Sequence, residues 1–117
     1  MNREDFKKRT KRYALEVIRL VESVPEDRVS RVLGSQLLRS GTSVGANYRS
    51  SIRAKSRADF ISKMSIVEEE CDESLYWIEL LIESGKVEAG RVADLMAEGD
   101  AIISVVVASI RTARLHA

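Results

Sequence analysis

Proline, cysteine and histidine each occur once in this chain, at Pro25, Cys71 and His116. A lone proline leaves long stretches whose backbone N–H groups can all enter helices. A lone cysteine excludes an internal disulfide framework and fits a reducing cytosol. Cys71 lies among apolar positions, which predicts a small core residue rather than a reactive thiol. The single histidine sits at the tail, so neither a histidine-bearing metal centre nor a Ser-His-Asp triad can be assembled from these residues. No lysine of Walker type follows Gly41 to Gly45, so that glycine pair is not a phosphate loop. No cofactor-binding pattern appears. Long apolar runs are lacking too: Ala101 to Ile110 spans about half of the ~20 residues a bilayer requires. The first residues, Met1-Asn2-Arg3-Glu4-Asp5, lead into bases instead of an apolar leader core. The expectation is a soluble, cytoplasmic protein with no membrane partner.

What is present is charge and aliphatic residues at helical spacing. Charged residues make up 32% and hydrophobic residues 44% of the 117, enough for one continuous core in one all-α domain over residues 1–117. Phe6, Thr10, Tyr13, Val17, Leu20 and Val24 alternate steps of four and three, predicting a helix over about 4–24. Pro25 stops it, and Asp27 can cap a second helix that carries Val29, Val32, Leu33, Leu37, Val44, Tyr48 and Ile52 and ends near Ala54. Gly41 is a candidate kink in it, because glycine lacks the conformational restriction that favours helix. Ser56 and Asp59 approximate a capping box for a third helix over about 57–84, with Phe60, Met64, Val67, Cys71, Ser74, Ile78 and Leu81 as its seam. Gly85 suits its C-terminal cap. After a connection around 86–90, Val92, Leu95, Gly99, Ile102, Val106 and Ser109 or Ile110 mark a fourth. Four helices joined by short loops predict an antiparallel up-down-up-down bundle.

The densest information lies in Gln36 to Arg49. Arg39, Ser43 and Asn47 recur every fourth residue and so share a helical face, while Gly41 and Gly45 allow close approach of another backbone. In the acidic run Glu68-Glu69-Glu70-Cys71-Asp72-Glu73, Glu69 and Glu73 are spaced to meet Arg39. Arg39, Ser43, Asn47, Glu69 and Glu73 are therefore expected to form a polar lock between helices two and three. Close packing at the two glycines is expected to bring Arg39 to its carboxylates. A buried pair of this kind would lose about 3–5 kcal/mol if one partner were removed.

The formal charge of +1 conceals an asymmetry. Residues 1–57 carry fourteen Lys/Arg against six acids, and residues 58–117 carry five against twelve. Two readings stand side by side: attraction between the halves of a bundle or between neighbouring subunits, and a basic surface facing RNA or DNA. The candidate nucleic-acid contacts are Lys7, Lys8, Arg9, Lys11, Arg12, Arg49, Arg53, Lys55 and Arg57. Tyr76 and Trp77 are candidate oligomer anchors, since aromatic residues are enriched at interfaces. Ile102, Ile103, Val105, Val106, Val107 and Ile110 cover more of helix four than one core stripe needs, which also points to a second copy. Arg111 and His116 form an R-x4-H pair of the kind used by HEPN-type ribonucleases, the alternative enzymatic reading.

Three ordered motifs carry a resemblance: Gln36 to Asn47, Ser56-Arg57-Ala58-Asp59-Phe60, and Glu68 to Leu81. Over about residues 10–113 the chain resembles the bacterial four helix bundle protein family, also called the 23S rRNA intervening-sequence protein family. The resemblance implies a left-handed bundle assembling into a ring, commonly a homopentamer, with no enzymatic activity. More distantly the chain is similar to the accessory protein of diversity-generating retroelements, a basic pentameric barrel that binds a reverse transcriptase and nucleic acid. Its near-zero net charge departs from those relatives. The resulting expectation is a non-enzymatic homo-oligomeric scaffold or adaptor, with its basic half the candidate surface for RNA, DNA or a nucleic-acid enzyme.

Overall fold

The computed structural model describes residues 1–116, which form four helices: α1 (Arg3–Ser23), α2 (Arg28–Ser51), α3 (Arg57–Glu83) and α4 (Ala89–Leu115). They pack as an antiparallel up-down bundle 48 Å long and about 22 Å across. Neighbours follow chain order around the bundle, α1 beside α2, α2 beside α3 and α3 beside α4, with α1 and α4 the least closely packed pair. Among the described residues no helix is long and apolar enough to cross a membrane.

Each terminus has a local chemical cause. Asn2 and Asp27 accept hydrogen bonds from the backbone N–H groups of Asp5 and Ser30, both at 2.8 Å, satisfying donors that have no partner in the first turn. Ser56 accepts from Asp59 N–H at 3.0 Å, while the Asp59 carboxylate reaches back to Lys55 N–H at 3.1 Å. The box thus closes one residue earlier than the capping pattern suggests. α3 ends in a Schellman motif: Lys86 N–H donates to Leu81 C=O at 2.8 Å and Gly85 N–H to Ile82 C=O at 3.0 Å. That geometry needs Gly85 at φ 78°, where a Cβ would be strained.

α2 runs unbroken through Gly41 and stops at Ser51, three residues before Ala54. The glycine serves packing instead of a kink: a Cβ placed there would lie 2.8 Å from both methyl groups of Val17 on α1. Gly45 similarly lies against Thr10. The two glycines therefore draw α1 in. They do not draw in the carboxylates of α3, as their spacing beside Arg39 suggests, because those lie on a different side of α2.

The core is built from the predicted seams, including Tyr13, Val17, Leu37, Val44, Met64, Val67, Ile78, Leu81, Ile102 and Val106. Ile110, not Ser109, completes the α4 stripe. Polar groups inside are paired. The Tyr13 hydroxyl lies 2.8 Å from Ser74 Oγ, which itself donates to Cys71 C=O at 2.6 Å, so Tyr13 is the donor between the two hydroxyls. Cys71 Sγ–H reaches Gly99 C=O at 3.4 Å. Burial, reinforced by the Asp100 and Asp72 charges, pushes the Cys71 thiol up to about 12, so it stays protonated and inert. Burial likewise raises the Tyr13 phenol.

The expected apolar excess on α4 is taken up within the fold. Ile103 and Val105 are half-buried against the core. Apart from Leu115 at the end of α4, the large apolar side chains left exposed in the helices lie elsewhere, at Leu15, Val29, Val32, Leu38, Ile66 and Tyr76.

Candidate nucleic-acid interface

The nine predicted cationic contacts separate into four groups once folded. Phe6 stacks edge-on against Tyr48 with ring centroids 4.7 Å apart, which sets the first turns of α1 beside the last turns of α2. Between them runs a groove of about 360 Å³ rimmed by Lys7, Lys8, Lys11 and Arg49, with Ala14, Thr42, Gly45 and Ala46 as its floor. Small residues make the floor because the helices approach closely there, and long cationic side chains rise around it. Glu4 is the one carboxylate in the lining and lies 3.8 Å from Lys7. The Thr42 hydroxyl donates to Leu38 C=O at 2.7 Å and is thereby committed to its own helix.

Arg9, expected among the nucleic-acid contacts, is held within the fold instead. Its Nε and Nη2 donate to the two carboxylate oxygens of Glu98 at 2.6 and 2.8 Å, a bidentate clamp between α1 and α4. Those hydrogen bonds, with the Glu98 charge, raise the guanidinium pKa further despite its partial desolvation. Arg9 thus joins the two helices and is not available as an external phosphate contact. Arg12 lines a different groove, between α1 and α4, shared with Asp5, Glu16, Asp94 and Glu98. Arg53 and Lys55, on the α2–α3 connection, and Arg57, the first residue of α3, are exposed at the same end of the bundle as the first groove.

Topology adds cations that pattern reading did not single out for this role. α4 ends beside the start of α3, where Arg111 and Arg114 border a groove with Glu68. The end formed by residues 1–12, 47–63 and 108–116 carries thirteen Lys/Arg against three Asp/Glu, and Arg111 and Arg114 bring it charge from the acidic half of the chain. The signal was present in the helix order: an up-down bundle places the start of α1 and the end of α4 together. His116, the other member of the R-x4-H pattern, is exposed at the C-cap of α4, its backbone N–H donating to Thr112 C=O at 3.2 Å.

Of the expected polar lock only the Arg39–Glu73 pair crosses between α2 and α3, with Glu70 in place of Glu69. Arg39 donates to Glu70 Oε2 at 3.2 Å and to Glu73 Oε2, and Glu73 also accepts from Trp77 Nε1 at 3.0 Å. Glu69 points outward and is exposed. The reason is helical phase: residue 70, three before Glu73, faces α2, whereas residue 69, four before it, rotates past the seam. Ser43 and Asn47 hydrogen-bond to Arg39 C=O and Ser43 C=O of their own helix, at 2.7 and 2.8 Å. With its side chain 49% exposed, Arg39 makes a solvent-screened pair and not the buried one anticipated. Trp77 lies at the seam, and Tyr76 packs edge-on against it from outside at 5.1 Å. Among the described residues no group of three or more His, Cys, Asp or Glu side chains is placed to hold a metal ion.

Compared with known proteins, residues 3–108 match the model of the 23S rRNA-intervening sequence protein family. The fold is similar to a crystal structure of a protein of unknown function, from the S23 ribosomal protein family, of Bacteroides thetaiotaomicron. The TM-score is 0.88 at 32% identity, over 95% of this chain and 99% of that one. No curated protein matches.

Proposed function

The chain belongs to the 23S rRNA-intervening sequence protein family, and from that footing we propose a non-enzymatic, homo-oligomeric scaffold that holds RNA or DNA by its phosphates. The observation that carries this reading is the α1–α2 groove, where Lys7, Lys8, Lys11 and Arg49 stand over a floor of small residues. Such a lining suits a phosphate backbone: flexible ammonium groups neutralise charge without reading bases, and the shallow floor admits an extended strand. Arg53, Lys55 and Arg57 continue the positive surface around the same end. The assembly part of the reading is supported by exposed Leu15 and Tyr76, apolar side chains standing among charges on the outside of the bundle.

Binding held by about four phosphate contacts falls about 50-fold between about 50 and about 200 mM salt for a single strand. Fluorescence anisotropy with single-stranded RNA and DNA oligonucleotides measures this. Replacing Lys7 and Arg49 by alanine is expected to halve the slope of log affinity against log salt. Undetectable or salt-independent binding would remove the nucleic-acid role and leave a protein scaffold. Light scattering on the same sample tests the oligomer, and a monomer mass would remove that part.

A further inference from the structure

α1 and α3 occupy opposite corners of the square and each turns one stripe of exposed residues outward. On α1 the stripe is Lys8, Arg12, Leu15 and Arg19, spaced so that all four share a face. On α3 it is Glu69, Asp72, Tyr76 and Glu79, which also share one face. Each stripe sets charges of a single sign around one large apolar side chain, Leu15 at 45% and Tyr76 at 51% exposure. None of these six charges has an ion-pair partner among the described residues.

The core fixes how the stripes are levelled. Tyr13 and Ser74, sixty-one residues apart, meet across the core, and α1 and α3 run in the same direction. Residues separated by that interval are therefore level to within about a turn. Lys8 is level with Glu69, Leu15 with Tyr76, and Arg12 and Arg19 stand within a residue or so of the levels of Asp72 and Glu79. A rotation axis parallel to the bundle would bring α3 of one copy beside α1 of the next with no axial shift, opposing base to acid and leucine to tyrosine.

We propose that the α1 stripe of one copy docks on the α3 stripe of the next, a heterologous, head-to-tail contact between copies of this chain. This rests on the homo-oligomeric reading above and specifies its interface. Pairing like stripes would oppose base to base or acid to acid, so the chain's own charges disfavour a two-fold dimer through either one. The apolar pair sits centrally, where water is excluded, while the flanking charges set register and partner choice. Trp77, edge-on behind Tyr76 and hydrogen-bonded to Glu73, holds the tyrosine's base in place. At the far rim Glu22 comes level with Glu83, the one like-charge approach, exposed and hence screened.

Charge reversal of the full chain tests the contact. R12E/R19E and E69K/E79K are each expected to run at monomer mass by light scattering at low salt, with helical circular dichroism and cooperative melting retained. An equimolar mixture is expected to rise above monomer mass, since each variant then offers the stripe its partner lacks. Unchanged mass in both variants, or no recovery on mixing, overturns the stripe contact while an oligomeric wild type keeps the scaffold reading. A monomeric wild type overturns both.

Discussion

At the scale of single residues, glycine decides how tightly the bundle closes. Gly41 faces Val17, a fully buried β-branched side chain with little rotamer freedom to retreat. Gly90, in the first turn of α4, has nothing within 4 Å of a built Cβ. Alanine favours helix over glycine by about 1 kcal/mol in a helix interior, as at Gly41, and by less in a first turn, as at Gly90, but overpacking at Gly41 opposes it with about 1–3 kcal/mol. G41A is thus expected to lose about 1 kcal/mol net, and G90A to gain up to about 1 kcal/mol. Urea unfolding of the two variants checks the opposite signs. The close approach was legible in the sequence, because two glycines four apart inside a helical pattern ask for a neighbouring backbone. Which neighbour was not legible. Glycine carries no side chain to betray its partner, whereas Arg39 advertised a carboxylate and drew attention to α3.

At the scale of elements, helix ends were read more securely than side-chain partners, because capping depends on residues only a turn apart. Asp27 and Asp59 show this. The Ser30 backbone N–H, then the Lys86 ammonium, hold the Asp27 carboxyl below its usual 3.8. The Lys55 backbone N–H, then the Lys63 ammonium, do the same for Asp59. A carboxyl whose pKa is lowered by folding stabilises the fold above its unfolded value, and that contribution is lost as pH falls through the folded one. The bundle is expected to weaken below about pH 4 as both carboxylates protonate. Asn at position 27 still offers a capping oxygen but does not titrate there, so D27N should have a shallower acid limb in thermal melts taken from neutral pH downward. An unchanged limb would mean that other carboxylates control acid unfolding. The Glu69-for-Glu70 exchange has the opposite origin. It depends on helix phase across a seam, where an error of one residue swings a side chain by about 100° and from contact to solvent.

At the scale of the molecule, the distribution of charge changes character on folding. Along the chain it divides into a basic first half and an acidic second half. In the bundle, both halves send cations to one end, because α1 begins and α4 finishes there. Sequence order alone could not show this: Arg111 and Arg114 lie about a hundred residues from Lys7, and only the up-down path brings them to the same end. The fold therefore makes a prediction that the halves of the sequence do not. Arg28 and Arg31 belong to the basic half yet sit at the start of α2, at the far end of the bundle. If nucleic acid is gripped by the end as a unit, alanine at Arg111 and Arg114 should reduce the slope of log affinity against log salt by about 1.5, from two lost phosphate contacts. Alanine at Arg28 and Arg31 should leave the slope unchanged. The reverse pattern would place the strand along the outer side of α2, away from the groove. Loss of slope in both pairs would mean a ligand long enough to cover the bundle from end to end, with its 48 Å length setting the footprint.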